Sequence, residues 1–143
     1  MAEIIGYTTG VFDLFHVGHV NILRNAKKMC DKLIVGVTTD DLVSYKGKQP
    51  VITYEDRAEV VRSCKFVDMV VPQENMDKSE AFFRYGFDLM FVGDDWYKTE
   101  KWNKIENELK LHSVRIIYIP YTKGTSSTLV NEVLVNLHDK FNS

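Results

Sequence analysis

A length of 143 residues suits one domain spanning 1–143, and 45% hydrophobic with 27% charged residues is typical of a globular protein, not of a disordered or disulfide-dense one. The net charge of −2 gives no bulk attraction to nucleic acid or to an acidic membrane surface, so an anionic ligand must be held by local positive groups. No apolar run approaches the ~20 residues of a membrane span, and the first residues lack a basic region followed by an apolar core, so we expect a cytoplasmic protein.

Short apolar runs bounded by turn signals predict strands, and segments with helical spacing separate them. In chain order the predicted strands span residues 3–10, 32–39, 68–72, 88–95 and 114–121. The predicted helices span residues 19–30, 53–64 with a capping signal at Thr53, 76–86 and 126–141. Because parallel neighbours need a long connection, this alternation predicts a Rossmann-like α/β domain. Its mostly parallel, five-stranded sheet is expected to carry helices on both faces.

The first predicted turn, "GVFDLFHVGH", carries two histidines where a strand gives way to a helix. Helix N-termini at the carboxyl ends of parallel strands attract anions, so we expect His16 and His19 to face a ligand crevice together. Gly18 between them leaves room for a phosphate close to the backbone. Two alternatives stay open: one histidine caps the helix while the other packs under the sheet, or both bind a metal with Asp13 as a further ligand. The glycine and the helix start fit an anion better than a metal.

The polar segment 44–53, called the lysine loop, follows the second predicted strand. It carries Lys46 and Lys48 on either side of a glycine. Two cations in such a loop can close over a triphosphate and neutralise the charge that develops during phosphoryl transfer. The alternative is a solvated surface loop without a ligand.

Two further segments follow predicted strands at the same edge of the sheet. "FVGDDW" supplies Asp94, Asp95 and Trp96, which suit contacts to a base or ribose, or form a polar turn beside a half-buried tryptophan. "YTKGTSSTL", residues 121–129, gathers hydroxyl groups where the last predicted helix starts, as a second phosphate cradle or only a helix cap. The absence of Gly-x-x-x-x-Gly-Lys-Ser and Gly-x-Gly-x-x-Gly argues against a kinase-type NTPase and a hydride-transfer dehydrogenase.

The two cysteines, Cys30 and Cys64, lie in helical patterns without Cys-x-x-Cys or Cys/His ligand spacing. We therefore expect buried, reduced thiols, with neither a disulfide nor a zinc site.

Several of these segments together resemble one known family. "HVGH" after "GVFD" resembles the His-x-Gly-His signature of the nucleotidyltransferase superfamily, and "YTKGTSST" is similar to its Arg-Thr-x-Gly-x-Ser-Thr signature. "GDDW", the lysine loop, "YEDR" and the closing helix follow in the expected order, so the resemblance covers nearly the whole chain. His-x-Gly-His alone is shared with adenylyltransferases, but the combination is typical of the cytidylyltransferase family, and of its glycerol-3-phosphate type in particular.

The resemblance implies a reaction in which an alcohol phosphate attacks the α-phosphorus of CTP in line and pyrophosphate leaves, without a covalent enzyme intermediate. Glycerol 3-phosphate is the acceptor it favours, and CDP-glycerol would be a precursor of cell-surface polymer. Mg²⁺ would arrive on the triphosphate, because the sequence shows no carboxylate cage for a resident metal. The resemblance also suggests a homodimer, with no nucleic-acid or membrane partner.

By position, the resemblance implies catalytic roles for His16, His19 and Lys46. Lys46 would touch both the α-phosphate and the incoming phosphate, and Lys78 would add a contact to the acceptor phosphate. The nucleotide would be bound by Gly10, Val11, Phe12, His16, His19, Lys48, Asp95, Tyr121, Thr122, Gly124, Thr125, Ser126, Ser127 and Thr128.

Two positions depart from the family pattern. Tyr121 replaces the arginine that starts the second signature, which removes a bidentate phosphate donor, and Lys65 replaces an arginine ahead of "FVD". The alternatives are therefore a cytidylyltransferase for another polyol or amino-alcohol phosphate, an ATP-using adenylyltransferase, or a nucleotide-binding protein without turnover.

Overall fold

The computed structural model of the chain describes residues 2–45, 47 and 49–120. Strands and helices alternate through these residues, as the apolar periodicity predicts. The strands are β1 (Ile5–Gly10), β2 (Lys32–Thr38), β3 (Met69–Gln73), β4 (Leu89–Gly93) and β5 (Arg115–Ile119). The helices are α1 (Val17–Lys27), α2 (Asp40–Tyr45), α3 (Tyr54–Arg62), α4 (Lys78–Tyr85) and α5 (Glu100–Lys110), with a 3₁₀ helix at Asp94–Trp96. The predicted closing helix, 126–141, lies outside the described residues.

The strands form one sheet in the order β3-β2-β1-β4-β5, and every neighbouring pair is parallel. In the centre, Thr8 of β1 lies opposite Val35 on one side and Phe91 on the other. The chain builds the sheet outward from β1 in one direction and then returns to add β4 on its other side. Such a reversal of strand order marks the crevice where open α/β sheets bind ligands.

A hydrophobic core covers each face of the sheet, which explains why the strands are nearly continuous apolar runs. Along β2, Leu33, Val35 and Val37 point into one core, whereas Ile34 points into the other. The first core is completed by apolar residues of α1 and α3, and the second by residues of α4 and α5. The predicted Rossmann-like α/β fold, with helices on both faces of a parallel five-stranded sheet, is confirmed.

Two helices were not predicted from the sequence, α2 and α5. The short helix α2 lies mostly before the predicted loop 44–53 and overlaps only its first two residues, Ser44 and Tyr45. Thr99 is the N-terminal cap of α5, and its hydroxyl accepts the backbone N–H of Trp102 at 3.3 Å. The helix buries Trp102 and Leu109, which are seven residues apart.

The start of α3 differs in one detail from the capping signal in the sequence. Thr53 is the N-terminal cap, but its side chain accepts no capping hydrogen bond. The Asp40 carboxylate of α2 instead accepts the Tyr54 N–H at 3.1 Å. A residue outside the helix therefore satisfies one of the N–H groups that a helix start leaves open.

Cys30 and Cys64 are free and pack against the first core, but they are half-buried and not buried as predicted. No helix in the described ranges is both long and apolar enough to cross a membrane.

Candidate functional site

The turn between β1 and α1, residues 11–16, is tightly folded at the carboxyl end of the central strand. It is called the histidine turn because it leads into His16 and His19. Phe12 and Leu14 adopt left-handed backbone conformations, with φ of 54° and 51°, which residues other than glycine rarely adopt. The Phe12 ring folds back over Gly10, where an added Cβ would lie 2.9 Å from the ring. Gly10 is therefore required for this path, and Phe12 is buried in the first core.

The two histidines form a reciprocal capping box at the start of α1. The Gly18 N–H donates to Nδ1 of His16 at 3.0 Å, and the His16 N–H donates to Nδ1 of His19 at 3.1 Å. Two backbone donors that a helix start leaves open are thereby satisfied. The alternative in which one histidine caps the helix is therefore confirmed in part, because the imidazoles of both histidines take part in the cap.

This arrangement fixes the tautomer of each ring. A backbone N–H can only donate, so each Nδ1 is an unprotonated acceptor and each neutral ring carries its proton on Nε2. Burial lowers the pKa of His16 below its ordinary value. Burial, and then the neighbouring His16, lower the pKa of His19 to about 4, against a smaller opposing effect of Asp13. At neutral pH the pair therefore presents two uncharged Nε2–H donors.

The rings are held close together by aromatic contacts. The centroids of the His16 and His19 rings are 4.0 Å apart, and the Phe15 ring stacks on His19 with centroids 5.2 Å apart. Nε2 of His16 is buried and has no hydrogen-bond partner within the described part of the chain. A buried donor without a partner is costly, which makes this atom a candidate contact for a ligand.

Lys78 reaches the same edge of the sheet from the first position of α4. Lys78 is only 5% exposed, and its Nζ lies 3.4 Å from Oγ1 of Thr9, near the end of β1. The ring of Trp102 flanks this ammonium, with its centroid 5.9 Å from Nζ. The structure therefore places Lys78 beside the strand that leads into the histidine turn.

Asp95 lies in the 3₁₀ helix that follows β4, the neighbour of β1 in the sheet. It is exposed, as are Asp94 and Trp96, and the Trp96 ring is contacted by the ammonium of Lys101 at 5.7 Å. The residue thus follows the strand next to the histidine turn, on the same edge. Lys65, the second departure from the family pattern, lies with Nζ 5.2 Å from the Phe66 ring.

Two residues without a predicted role in ligand binding hold the turn in place. The Asp13 carboxylate accepts the N–H groups of Val51 and Ile52 at 2.7 and 3.0 Å. Arg57, whose side chain is fully buried, donates to the carbonyl of Val11 at 2.7 Å. "YEDR" had identified Arg57 only as part of a resemblance, and its contacts are far apart in sequence.

The suggestion of a metal bound by the histidines with Asp13 finds no matching geometry in the described residues. Both Asp13 oxygens accept backbone N–H groups, and both histidine Nδ1 atoms are engaged in the capping box. In the described ranges, no three His, Cys, Asp or Glu side chains are grouped as metal ligands.

Of the residues proposed for the site, Gly10, Val11, Phe12, His16 and His19 come together in one turn, with Lys78 beside its strand. Asp95 follows β4 on the same edge of the sheet. The remaining ones lie outside the described residues, namely Lys46, Lys48, Tyr121, Thr122, Gly124, Thr125, Ser126, Ser127 and Thr128. The roles of all the proposed site residues remain predictions.

A family model described as "Cytidylyltransferase-like" matches residues 7–133. Glycerol-3-phosphate cytidylyltransferase of Bacillus subtilis (strain 168) is 31% identical over 138 residues, which cover 96% of this chain and 100% of the relative. FAD synthase of Archaeoglobus fulgidus is 38% identical over 133 residues, covering 93% of this chain and 96% of the relative. A crystal structure of the lipopolysaccharide core biosynthesis protein from Thermoplasma volcanium superposes with a TM-score of 0.72 at 24% identity, over 87% of this chain and 100% of that one.

Proposed function

The chain belongs to the cytidylyltransferase-like family of nucleotidyltransferases, and from this membership we propose that it transfers a cytidylyl group from CTP to glycerol 3-phosphate. An oxygen of the acceptor phosphate attacks the α-phosphorus, the bond to the bridging oxygen breaks, and pyrophosphate leaves. The product is CDP-glycerol. Full-length similarity to three bacterial glycerol-3-phosphate cytidylyltransferases, each 31–33% identical, supports this choice of substrates.

The observation that carries the proposal is the capped histidine pair. Because each Nδ1 accepts a backbone N–H, His16 and His19 offer Nε2–H donors and do not act as bases. In-line phosphoryl transfer needs donors that stabilise negative charge on the phosphate oxygens, together with an oriented nucleophile. The acceptor phosphate is already anionic, so the reaction requires no proton acceptor. The N-terminus of α1 adds its partial positive charge at the same place.

The remaining roles in the proposal follow the resemblance. Lys46 bridges the α-phosphate and the incoming phosphate, Lys48 holds CTP, and Lys78 binds the acceptor phosphate beside Thr9. Asp95 contacts the cytosine, and residues 121–128 line the triphosphate. Mg²⁺ carried on the triphosphate would neutralise part of its charge. We include the homodimer in this proposal on the basis of the resemblance.

A second candidate is adenylyl transfer from ATP, because the FAD synthase of Archaeoglobus fulgidus is 38% identical over nearly the whole chain. FAD is flavin mononucleotide joined to an adenylyl group, and flavin mononucleotide is itself a phosphorylated alcohol. The two candidates therefore share one reaction at phosphorus and differ in the base and in the acceptor.

Pyrophosphate release from every combination of two nucleotides and a panel of acceptors tests the proposal. CTP and ATP are each paired with glycerol 3-phosphate, other polyol phosphates, an amino-alcohol phosphate and flavin mononucleotide, in the presence of Mg²⁺. We expect the highest kcat/KM for CTP with glycerol 3-phosphate. A preference for ATP with flavin mononucleotide would support the second candidate, and CTP binding without pyrophosphate release from any pair would indicate a protein without turnover.

A further inference from the structure

The backbone of Ile52 is held on both sides by charged side chains that are buried or half-buried. Its N–H donates to Oδ1 of Asp13 at 3.0 Å, and the neighbouring Val51 N–H donates to Oδ2 at 2.7 Å. Its carbonyl accepts a hydrogen bond from Nε of Arg57 at 2.8 Å. Charge-assisted hydrogen bonds of this kind are about twice as strong as neutral ones. The chain is therefore pinned at the residue where the lysine loop ends.

The same guanidinium also pins the beginning of that segment. Nη1 of Arg57 donates to the carbonyl of Thr38 at 2.8 Å, and Nη2 donates to the Asp40 carboxylate at 2.6 Å. Thr38 ends β2 and Asp40 starts α2, the helix that leads into the lysine loop. Both ends of the segment from Asp40 to Ile52 are thus attached to one fully buried side chain.

A third attachment connects this segment to the histidine turn. Nη1 of Arg57 also donates to the carbonyl of Val11 at 2.7 Å, and Asp13 itself belongs to the turn. Asp13 lies between Phe12 and Leu14, both in left-handed conformations that cost free energy. Strained backbone persists only where surrounding contacts determine it, and the contacts at Val11 and Asp13 supply them.

A buried arginine needs partners for its charge and for its N–H donors. Arg57 donates four hydrogen bonds, which reach three separate segments of the chain. We propose that Asp13 and Arg57 are positioning residues that join the lysine loop to the histidine turn, so that Lys46 is presented to the phosphates held by His16 and His19. This inference rests on the proposed function, because it assigns a task to Lys46. The two residues act through the backbone and touch no substrate.

Asp13 and Arg57, with the hydrogen bonds described above, are called the clamp. Two variants test it, each with a matched control. Asp13→Asn replaces one carboxylate oxygen by an amide donor, so one of the two N–H groups loses its acceptor. Arg57→Lys keeps the charge, but a single ammonium cannot reach three carbonyls and a carboxylate. Asp41→Asn, at an exposed position of α2, and Arg62→Lys, on the exposed side of α3, make the same chemical changes outside the clamp.

We expect Asp13→Asn and Arg57→Lys to lower kcat for pyrophosphate release by about 10–100-fold, because displacement of a charge-stabilising group costs that much. KM for CTP should rise by a smaller factor than kcat falls, because Lys48 in the released loop is proposed to hold CTP but most of the proposed nucleotide contacts lie outside that loop. The control variants should keep wild-type kcat.

Limited trypsin digestion gives a readout that does not depend on activity. Lys46 and Lys48 are cleavage sites between the two pinned ends, whereas Lys104 in α5 reports opening of the remaining fold. Both clamp variants should be cleaved after Lys46 and Lys48 about tenfold faster than the wild type, with the rate at Lys104 unchanged, because a lost charged hydrogen bond raises the open population by that order.

Wild-type cleavage rates in the loop together with wild-type kcat in both variants would overturn the clamp. Loss of the cooperative thermal transition in both variants would overturn it too, because the residues would then be needed for the whole fold. If the wild-type protein releases no pyrophosphate from any substrate pair, the proposed function fails, and the digestion still decides whether Asp13 and Arg57 hold the loop.

Discussion

At the scale of single residues, His16 shows how the two nitrogens of one ring can differ in their environment. Nδ1 of His16 caps α1, while its buried Nε2 has no partner among the described residues. The two nitrogens are therefore divided between two tasks, and the cap fixes which nitrogen carries the proton. A substitution that reproduces only the cap should separate these tasks.

His16→Asn makes that separation. Asparagine is among the best N-terminal caps, so its side-chain oxygen should accept the Gly18 N–H and leave the melting temperature near the wild-type value. It cannot replace the Nε2–H donor, so kcat should fall by about 100–1000-fold. His16→Ala should show the same loss of kcat and, in addition, about 1 kcal/mol of lost stability. Thermal unfolding and pyrophosphate release measure the two effects, and wild-type turnover in His16→Asn would leave His16 with only a capping role.

At the scale of elements, the sequence predicted the strands better than the helices. Every residue from Leu33 to Thr38 in β2 is buried, so the apolar run is unmistakable. Helix α5 was missed although Trp102 and Leu109 have helical spacing, because its other faces are polar and charged. The histidine turn could be predicted because its parts are adjacent in sequence. Arg57 could not, because its partners are backbone carbonyls at Val11, Thr38 and Ile52, and any residue type provides such a carbonyl.

The lysine loop gives a prediction at this scale. Lys46→Ala should lower kcat by about 100-fold, because only a cation offsets the charge that builds up on the phosphates. Ser44→Ala, which removes a hydrogen bond from the Gln49 amide at the other end of the loop, should leave kcat nearly unchanged. Steady-state kinetics with CTP and glycerol 3-phosphate compare the two variants. Equal losses of kcat would mean that the loop acts by being ordered and not by its charge.

At the scale of the whole molecule, a chain with net charge −2 has to create its own positive region for an anionic ligand. In the described residues this region combines the N-terminus of α1, two imidazole donors and the ammonium of Lys78 beside β1. The sheet brings them to one edge because its strands are all parallel, so their carboxyl ends lie on the same side. Keeping the imidazoles buried and neutral has a consequence for stability as the pH falls.

That consequence is a loss of stability in mild acid. The pKa of His19 is lowered to about 4 by burial and then by His16, whereas an unfolded histidine titrates near its ordinary value of 6.5. Between these values the unfolded chain binds more protons, so the free energy of unfolding is fully retained above pH 6.5 and decreases toward pH 4. The melting temperature should fall from pH 7.5 to pH 5, and His19→Gln should make this decline shallower. An unchanged slope in the variant would contradict the assignment; carboxylates titrate mainly below this range.

The central place of β1 also determines when the site can exist during folding. The Thr8 hydroxyl donates to the carbonyl of Phe91, and these two residues are 83 positions apart in the chain. Closing so long a segment costs entropy before any contact compensates it, and such pairings slow the folding of parallel sheets. The histidine turn precedes β4 in the chain, so its strand lacks a neighbour on one side until β4 has been made. We therefore expect the candidate site to be assembled late, after the pairing of β1 with β2, so that a growing chain does not bind a ligand there before most of the sheet is in place.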